Sequence, residues 1–96
     1  MVWTSEAHED RVDIWEYIAA QNPQAAVRMD LLFSDSAARL AGFPMLGHTG
    51  EIAGTRELTP HRSYRLIYEV QAKTIWILAL VHAARQWPPP SVRPSS

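Results

Sequence analysis

The sequence predicts an α+β fold in which one short strand and two helices precede three strands, in the order β-α-α-β-β-β. Residues 54–88 have the alternating polarity of three short strands joined by two tight turns. Two stretches before them have apolar residues at helical spacing, and the link between these is so short that the helices must form an antiparallel hairpin. We therefore expect a small, mainly antiparallel sheet with a two-helix hairpin packed on one face.

The composition indicates a single globular domain. A chain of 96 residues with 47% hydrophobic residues suits one domain, which we place at residues 1–88, followed by a disordered Pro- and Ser-rich tail at residues 89–96. The absence of cysteine excludes a disulfide framework and a thiolate metal site. No apolar signal run follows Met1, and no stretch approaches the length of a membrane span, so we expect a bacterial cytoplasmic protein without membrane contact.

The two halves of the chain differ in charge. Residues 1–48 contain three arginines against seven Asp and Glu, a net charge of −4, whereas residues 49–96 contain six Lys and Arg against three Glu, a net charge of +3. A cationic strand half is compatible with an anionic partner, either a nucleic acid or an acidic protein segment. The balance is well short of that of domains that grip phosphate backbones.

The first two elements are a strand at residues 2–3, which we expect to pair with the sheet, and a helix. Thr4 or Ser5 can cap this helix, which runs to about Ala20. Its apolar residues recur at helical spacing, so one face should be buried and the acidic face solvated. The predicted buried face comprises Ala7, Arg11, Ile14, Trp15 and Ile18, and the other face carries Asp10, Asp13 and Glu16.

The second helix begins at an Asn22 cap with Pro23 in the first position and runs to about Ala41. Gly42 is the expected C-cap, because glycine readily adopts the left-handed conformation that often ends a helix. Residues 45–54, with three glycines, are predicted to form a loop. The predicted buried stripe of the helix comprises Ala25, Met29, Leu32, Phe33, Ser36, Ala37 and Leu40.

Three strands are predicted at residues 55–59, 64–70 and 75–81, with turns around Pro60 and at residues 71–73. The last strand is apolar almost throughout, as expected of a strand in the middle of a sheet. Alternation in the middle strand places Tyr64, Leu66, Tyr68 and Val70 on one face, and Arg65, Ile67 and Glu69 on the other.

The candidate functional residues lie on these strands. If the helices cover the tyrosine face, Arg65 opens onto the uncovered face, where Arg56 and Arg85 could converge with it. Arginine binds phosphate and carboxylate bidentately and stays charged at all working pH values. With His82 at the end of the last strand, this set could hold a phosphodiester or an acidic peptide. Trp76 faces away from its apolar neighbours and is either a core residue or a partner contact.

Structural alternatives exist for each of these residues. An arginine on a sheet with Glu57 and Glu69 nearby is more often part of a cross-strand ion pair than of a ligand site. A histidine such as His82, at the end of a strand, is more often a hydrogen-bonded structural residue than a catalytic one. No pair among the four histidines has metal-ligand spacing, and we predict neither a metal site nor a cofactor.

Six segments, in this order, are similar to those of the RelE/ParE superfamily of bacterial type II toxins. They extend over residues 1–88 and comprise residues 9–19, Asn22-Pro23-x-Ala25-Ala26, Phe43-Pro44-x-x-Gly47, Gly54-Thr55-Arg56-Glu57-Leu58, Tyr64-Arg65-Leu66-Ile67-Tyr68 and His82-x-x-Arg85-x-Trp87-Pro88. No single motif is decisive, but the six in the right order make the chain resemble a member of this superfamily.

This resemblance implies a growth-inhibiting toxin encoded beside a cognate antitoxin, with which it forms a hetero-oligomeric complex. Antitoxins of this kind bind DNA with one part and wrap the toxin with a partly disordered amphipathic segment. We predict that the target or the antitoxin contacts the strands and the C-terminal motif, at Arg56, Arg65, Trp76, His82, Arg85 and Trp87.

The resemblance leaves two activities to weigh. RelE-like members cut mRNA on the ribosome without a metal, using basic residues on the open sheet face and a tyrosine near the C-terminus. Arg56, Arg65 and Arg85 fall at three of those basic positions, and His82 would be the acid–base group of such a nuclease. Leu58 occupies a further basic position, and the tail has no tyrosine.

ParE-like members instead inhibit DNA gyrase and lack the nuclease set. An arginine is a poor general base because its guanidinium pKa is above ~12, and losing proton transfer removes about 10²–10⁴ of rate. The missing base and the mild net charge favour a ParE-like gyrase inhibitor over a RelE-like mRNA interferase. A third alternative is an inactivated toxin that only binds its antitoxin.

Overall fold

The computed structural model describes residues 1–89 and confirms the predicted α+β fold. The predicted tail lies, apart from Pro89, outside the described residues. The observed elements are β1 (Val2–Trp3), α1 (Ser5–Ala19), α2 (Pro23–Arg39), β2 (His48–Thr49), β3 (Arg56–His61), β4 (Tyr64–Gln71) and β5 (Thr74–His82). Within residues 1–89, neither helix has the length and apolar character needed to cross a membrane.

Both helices begin as predicted, with a side chain that satisfies a free backbone N–H. The Thr4 hydroxyl accepts a hydrogen bond from the Ala7 amide at 3.2 Å, and Asn22 caps α2 in the same way. The end of α2 differs from the prediction, because its C-cap is Leu40 and not Gly42. Leu40 keeps a right-handed helical conformation and is fully buried, so the helix ends without the left-handed glycine that was predicted.

The five strands form one sheet in the order β1-β5-β4-β3-β2, in which β1 and β5 run parallel and all other pairs are antiparallel. The interior position predicted for the last strand is confirmed. Residues 45–54, predicted as a loop, contain β2, which pairs with Arg56 and Glu57. A strand of two exposed residues is too short to produce a periodic signal in the sequence.

Pro60 was predicted in a turn but lies inside β3. The register of the β3–β4 pair shifts between Leu58 and His61, so the strand is irregular where the proline stands. Because β2 pairs only with Arg56 and Glu57, the rest of β3 is a free edge. Proline, which has no N–H to donate, is tolerated at such a position.

The two faces of the sheet are covered differently, and the alternation predicted for β4 is confirmed. On the face that carries Tyr64, Leu66 and Tyr68, called here the helix face, the sheet packs against both helices. The core on this face comprises Ala7, Phe33, Ala37, Leu40, Tyr64, Leu66, Tyr68, Ile75, Ile77 and Leu80. On the opposite face a smaller cluster comprises Ile67, Ala79 and Val81, with Trp87 packed against it.

Two residues of α1 lie elsewhere than predicted. Asp10 was placed on the solvated side but is half-buried, and its Oδ2 atom accepts a hydrogen bond from the Leu80 amide at 3.0 Å. This amide lies beyond the part of β5 that β1 covers, so the carboxylate takes the place of a neighbouring strand. Trp15, predicted in the core, is 38% exposed, because α1 presents Ile14 and Ala7 to the sheet instead.

A bidentate ion pair joins the two helices. The Arg11 Nε atom lies 2.6 Å from Asp30 Oδ1, and a second guanidinium nitrogen lies 3.0 Å from Asp30 Oδ2. The same guanidinium lies 4.8 Å from the centre of the Trp3 ring, within the range of a cation–π contact. Arg11 therefore connects α1 to both α2 and β1 through its guanidinium group.

Candidate functional site

The structure does not bring the three candidate arginines together. Arg56 pairs with Tyr68 across the β3–β4 ladder, so it points to the helix face. Arg65 alternates with Tyr64 and Leu66 and points to the opposite face. Arg85 follows β5 and lines a cavity against α1. The predicted convergence on one open surface is therefore not the arrangement that the structure has.

Arg65 forms a cross-strand ion pair. Its NH1 atom lies 3.2 Å from Oε1 of Glu57, a residue that is only 2% exposed. The other carboxylate oxygen of Glu57 accepts a hydrogen bond from the Glu51 amide at 3.2 Å. A buried carboxylate needs such a countercharge, because removing either partner leaves an uncompensated charge. The structural alternative considered for Arg65 is thus realised, with Glu57 as the partner.

Arg56 holds the loop that follows α2. Its Nε and NH2 atoms donate to the Gly47 carbonyl at 3.0 and 2.6 Å, and NH2 also approaches the Met45 carbonyl at 3.4 Å. Three of its donor contacts are therefore made within the protein's own fold. This arrangement uses the fork geometry of the guanidinium to bind backbone carbonyls rather than phosphate.

The same loop is held from the core by Tyr68. The Tyr68 hydroxyl donates to the Pro44 carbonyl at 2.7 Å and accepts from the Gly47 amide at 2.9 Å. A Cβ atom at Gly47 would lie 2.6 Å from the Glu57 carbonyl oxygen, so only glycine fits this close approach. The loop is fixed at both ends, although it carries exposed apolar side chains such as Phe43.

His82 lies on the helix face, opposite Tyr64 in the β4–β5 ladder. Its ring meets the Tyr64 ring edge-on, with centroids 5.2 Å apart. Its Nδ1 atom lies 3.0 Å from the Ala84 amide and accepts that hydrogen bond, which leaves Nε2 to carry the proton of the neutral ring. His82 and Arg65 therefore point to different faces of the sheet, and a phosphodiester bound at one is out of reach of the other.

Arg85 lies beside Asp10, on the α1 side of the sheet. Burial raises the pKa of Asp10 above its usual value, while the hydrogen bond from Leu80 and the charge of Arg85 act to lower it. The backbone carbonyl of Arg85 also lies 3.4 Å from the NH2 atom of Arg65. The Arg85 backbone therefore contacts Arg65, while its guanidinium charge acts on Asp10.

The two candidate tryptophans belong to the opposite face. Trp76 pairs with Glu69 in the ladder and is half-buried. Trp87 packs against the cluster of Ile67, Ala79 and Val81, so the end of the domain folds back over the face predicted to be open. The indole N–H of Trp87 and the Nε of Arg65 are buried and have no acceptor within residues 1–89.

The described part of the chain contains no group of three His, Asp or Glu side chains placed to hold a metal ion. The opposite face carries Trp76, Trp87 and the partly exposed Arg65. Aromatic and arginine side chains are the residues most often dominant in protein interfaces, so this face can bind a partner.

Comparison with known proteins agrees with this fold. A family model described as the ParE toxin of type II toxin-antitoxin system, parDE, matches residues 1–87. The Y4kP protein of Sinorhizobium fredii is 33% identical over 87 residues, which are 90% of each chain. The toxin RelE2 of Caulobacter vibrioides is 36% identical over 85 residues, which are 88% of this chain and 96% of that protein. A solved structure of a chromosomal ParDE toxin-antitoxin system from P. aeruginosa is similar in fold, with a TM-score of 0.75, 24% identity and coverage of 83% of this chain and 90% of that one.

Proposed function

The chain belongs to the ParE toxin family of type II toxin–antitoxin systems, and we propose that it inhibits growth by binding DNA gyrase. Membership in such a system implies a cognate antitoxin as the partner that holds the toxin inactive. The finer assignment, gyrase rather than ribosome-bound mRNA, rests on the placement of the basic side chains described above.

The proposal rests on one observation: the residues that match a nuclease site in the sequence do not lie around one point in the structure. Metal-independent cleavage of RNA needs cationic donors and a base around one phosphate. Here Arg56 binds the carbonyls of its own loop, Arg65 binds Glu57, and His82 lies on the other face from Arg65. A binding function has no such requirement, so it is the activity that these positions favour.

We place the gyrase contact on the opposite face. Trp76 and Trp87 present aromatic surface there, and Arg65 lies on the same face of β4, four residues before Glu69, the ladder partner of Trp76. The Arg65 side chain is 24% exposed, so its guanidinium can also bind an acceptor on a partner that covers this face. The antitoxin is expected to compete for the same surface.

The test is a supercoiling assay with purified gyrase and the full-length protein. Supercoiling is expected to fall as the protein is added and to recover when the cognate antitoxin is supplied. Trp76→Ala should weaken inhibition about tenfold, whereas Phe43→Ala, an exposed aromatic on the loop after α2, should leave it unchanged. Normal supercoiling at saturating protein contradicts the proposal.

The nuclease alternative is decided by mapping mRNA 5′ ends after induction of the toxin. The gyrase proposal predicts no toxin-dependent cuts within codons. Such cuts, together with unchanged supercoiling, would assign the chain to the mRNA interferases instead. Growth that continues after induction without antitoxin would indicate an inactivated toxin.

A further inference from the structure

A cavity of about 360 Å³ lies on the helix face, between α1 and the end of β5. It is separate from the surface assigned above to gyrase. Its polar lining comprises Asp10, Asp13, Tyr17, Tyr64, His82 and Arg85. Asp13, Tyr17, His82 and Arg85 are exposed, so the cavity is open to a partner.

Tyr64 has an unpaired hydroxyl in this cavity. The residue is only 6% exposed, and its ring is fixed edge-on between Phe33, at 5.3 Å, and His82, at 5.2 Å. Within residues 1–89 its hydroxyl makes no hydrogen bond, and burial together with the neighbouring Tyr17 raises the pKa of this phenol. The hydroxyl opens onto the cavity and is not sealed within the core, so a ligand that enters can hydrogen-bond to it without moving the ring.

The charge of the cavity is negative. Asp10 uses one oxygen for the Leu80 amide and leaves the other free, and Asp13 is exposed at the rim. Two carboxylates therefore face one guanidinium, that of Arg85. Burial raises the pKa of Asp10, and among the neighbouring charges that of Arg85 lowers this pKa more than that of Asp13 raises it, so Arg85 lies close enough to Asp10 to act on it.

We propose that this cavity binds a guanidinium-bearing side chain of a protein partner. Asp13 and the free oxygen of Asp10 supply charged acceptors, and the Tyr64 hydroxyl supplies a neutral one. Tyr17, which is 69% exposed, provides an aromatic face on which a planar cation stacks. Lysine would fill the same charge requirement but cannot match this planar arrangement.

The first test uses a small probe with the free, full-length protein. N-acetyl-arginine amide is titrated while amide signals are followed by NMR, and N-acetyl-citrulline amide serves as the uncharged probe of the same shape. The arginine probe is expected to shift signals of residues 10–17, 64 and 80–85, and to bind about tenfold more tightly than the citrulline probe. Absence of shifts at these residues, or equal binding of the two probes, overturns the proposal.

Variants of the cavity residues test whether the cavity prefers a cation or an anion. Asp13→Asn is expected to weaken the arginine probe about fivefold and Tyr64→Phe about threefold. Arg85→Gln should tighten binding about threefold, because it removes a like charge. An anion-binding cavity would show the reverse, so weaker arginine binding by Arg85→Gln contradicts the proposal. Asp35→Asn, an exposed acid of α2 outside the cavity, is the matched control and should change nothing.

Two further assays identify the partner that supplies the guanidinium. Dissociation of the antitoxin complex and inhibition of gyrase are each measured with Asp13→Asn, alongside Asp35→Asn. A fivefold weakening confined to one assay assigns the side chain to that partner. Unchanged values in both contradict use of the cavity by a partner, while the gyrase proposal, which rests on the other face, is judged separately by Trp76→Ala.

Discussion

The helix face and the opposite face of the sheet differ in the number and the type of side chains that they bury. The helix face buries aromatic and aliphatic side chains from α1, α2, β4 and β5, and the Tyr68 hydroxyl on this face is hydrogen-bonded to the loop after α2. The opposite face has three small or branched apolar residues, one tryptophan over them and a carboxylate buried beside an arginine. The comparison suggests that the first face supplies most of the stability and that the second is arranged for contact with another molecule.

The largest expected effect concerns the apolar core of the helix face. Phe33→Ala should lower the free energy of unfolding by about 3–5 kcal/mol, because it removes a fully buried ring that contacts Tyr64. The matched control is Phe43→Ala, whose ring is 67% exposed and which should change stability by less than about 0.5 kcal/mol. Urea unfolding measures both. Equal losses would mean that stability is not concentrated on the helix face.

The next effect tests the ion pair of the opposite face. Glu57→Gln should cost about 2 kcal/mol, less than for a fully buried pair, because Arg65 is partly solvated and its charge can be screened. Arg65→Ala should cost a similar amount by leaving the Glu57 carboxylate uncompensated. Glu69→Gln on the same strand is the control and should be nearly neutral. A neutral Glu57→Gln would show that the buried charge is not held by Arg65.

A smaller effect is expected where the helix face holds the loop after α2. Tyr68→Phe removes the hydrogen bonds to the Pro44 carbonyl and the Gly47 amide, which should cost about 1–2 kcal/mol in stability. Tyr17→Phe, in which the lost hydroxyl is exposed, should cost almost nothing. Amide hydrogen exchange should also speed up in residues 43–47 of Tyr68→Phe, and unchanged exchange would contradict the role assigned to Tyr68.

The smallest effect is a dependence on pH that belongs to the helix face. The pKa of Asp10 is raised in the folded state from its ordinary 3.8, so the folded protein binds this proton more tightly than the unfolded chain does. Stability attributable to Asp10 should therefore decrease as pH rises from 3.8 through the folded-state pKa and then level off. Asp10→Asn keeps an acceptor for Leu80 and should remove this component, as seen by comparing unfolding free energies across pH. An identical pH profile for the variant contradicts the assignment.

The sequence alone predicted most of the helices and strands and the alternation of side chains within each long strand, because both depend on local spacing. It correctly set Tyr64 and Tyr68 apart from Arg65, and it grouped Arg56 with Leu58. Local spacing does not determine how β3 is registered against β4, and this register sends Arg56 to the helix face. The convergence of the arginines was expected only because that register could not be read from the pattern.

Other differences have the same origin in tertiary contacts. Asp10 looked solvated because its helical neighbours are polar, and only the position of the Leu80 amide gives it a buried partner. The pair of Glu57 and Arg65 was among the structural alternatives, but the near-complete burial of Glu57 depends on the loop that folds over it. Trp87 was predicted only as a partner contact, because its packing against Ile67, Ala79 and Val81 depends on how the chain turns back after β5.

The way in which the sheet ends at both sides has a consequence for the free protein in solution. β1 and β2 offer only two residues each to a new neighbour, Asp10 occupies an N–H group of β5, and Pro60 removes one from β3. A second copy therefore finds few successive backbone groups with which to extend the ladder. The fold thus resists fibril-like self-association even while its side chains remain free to be recognised.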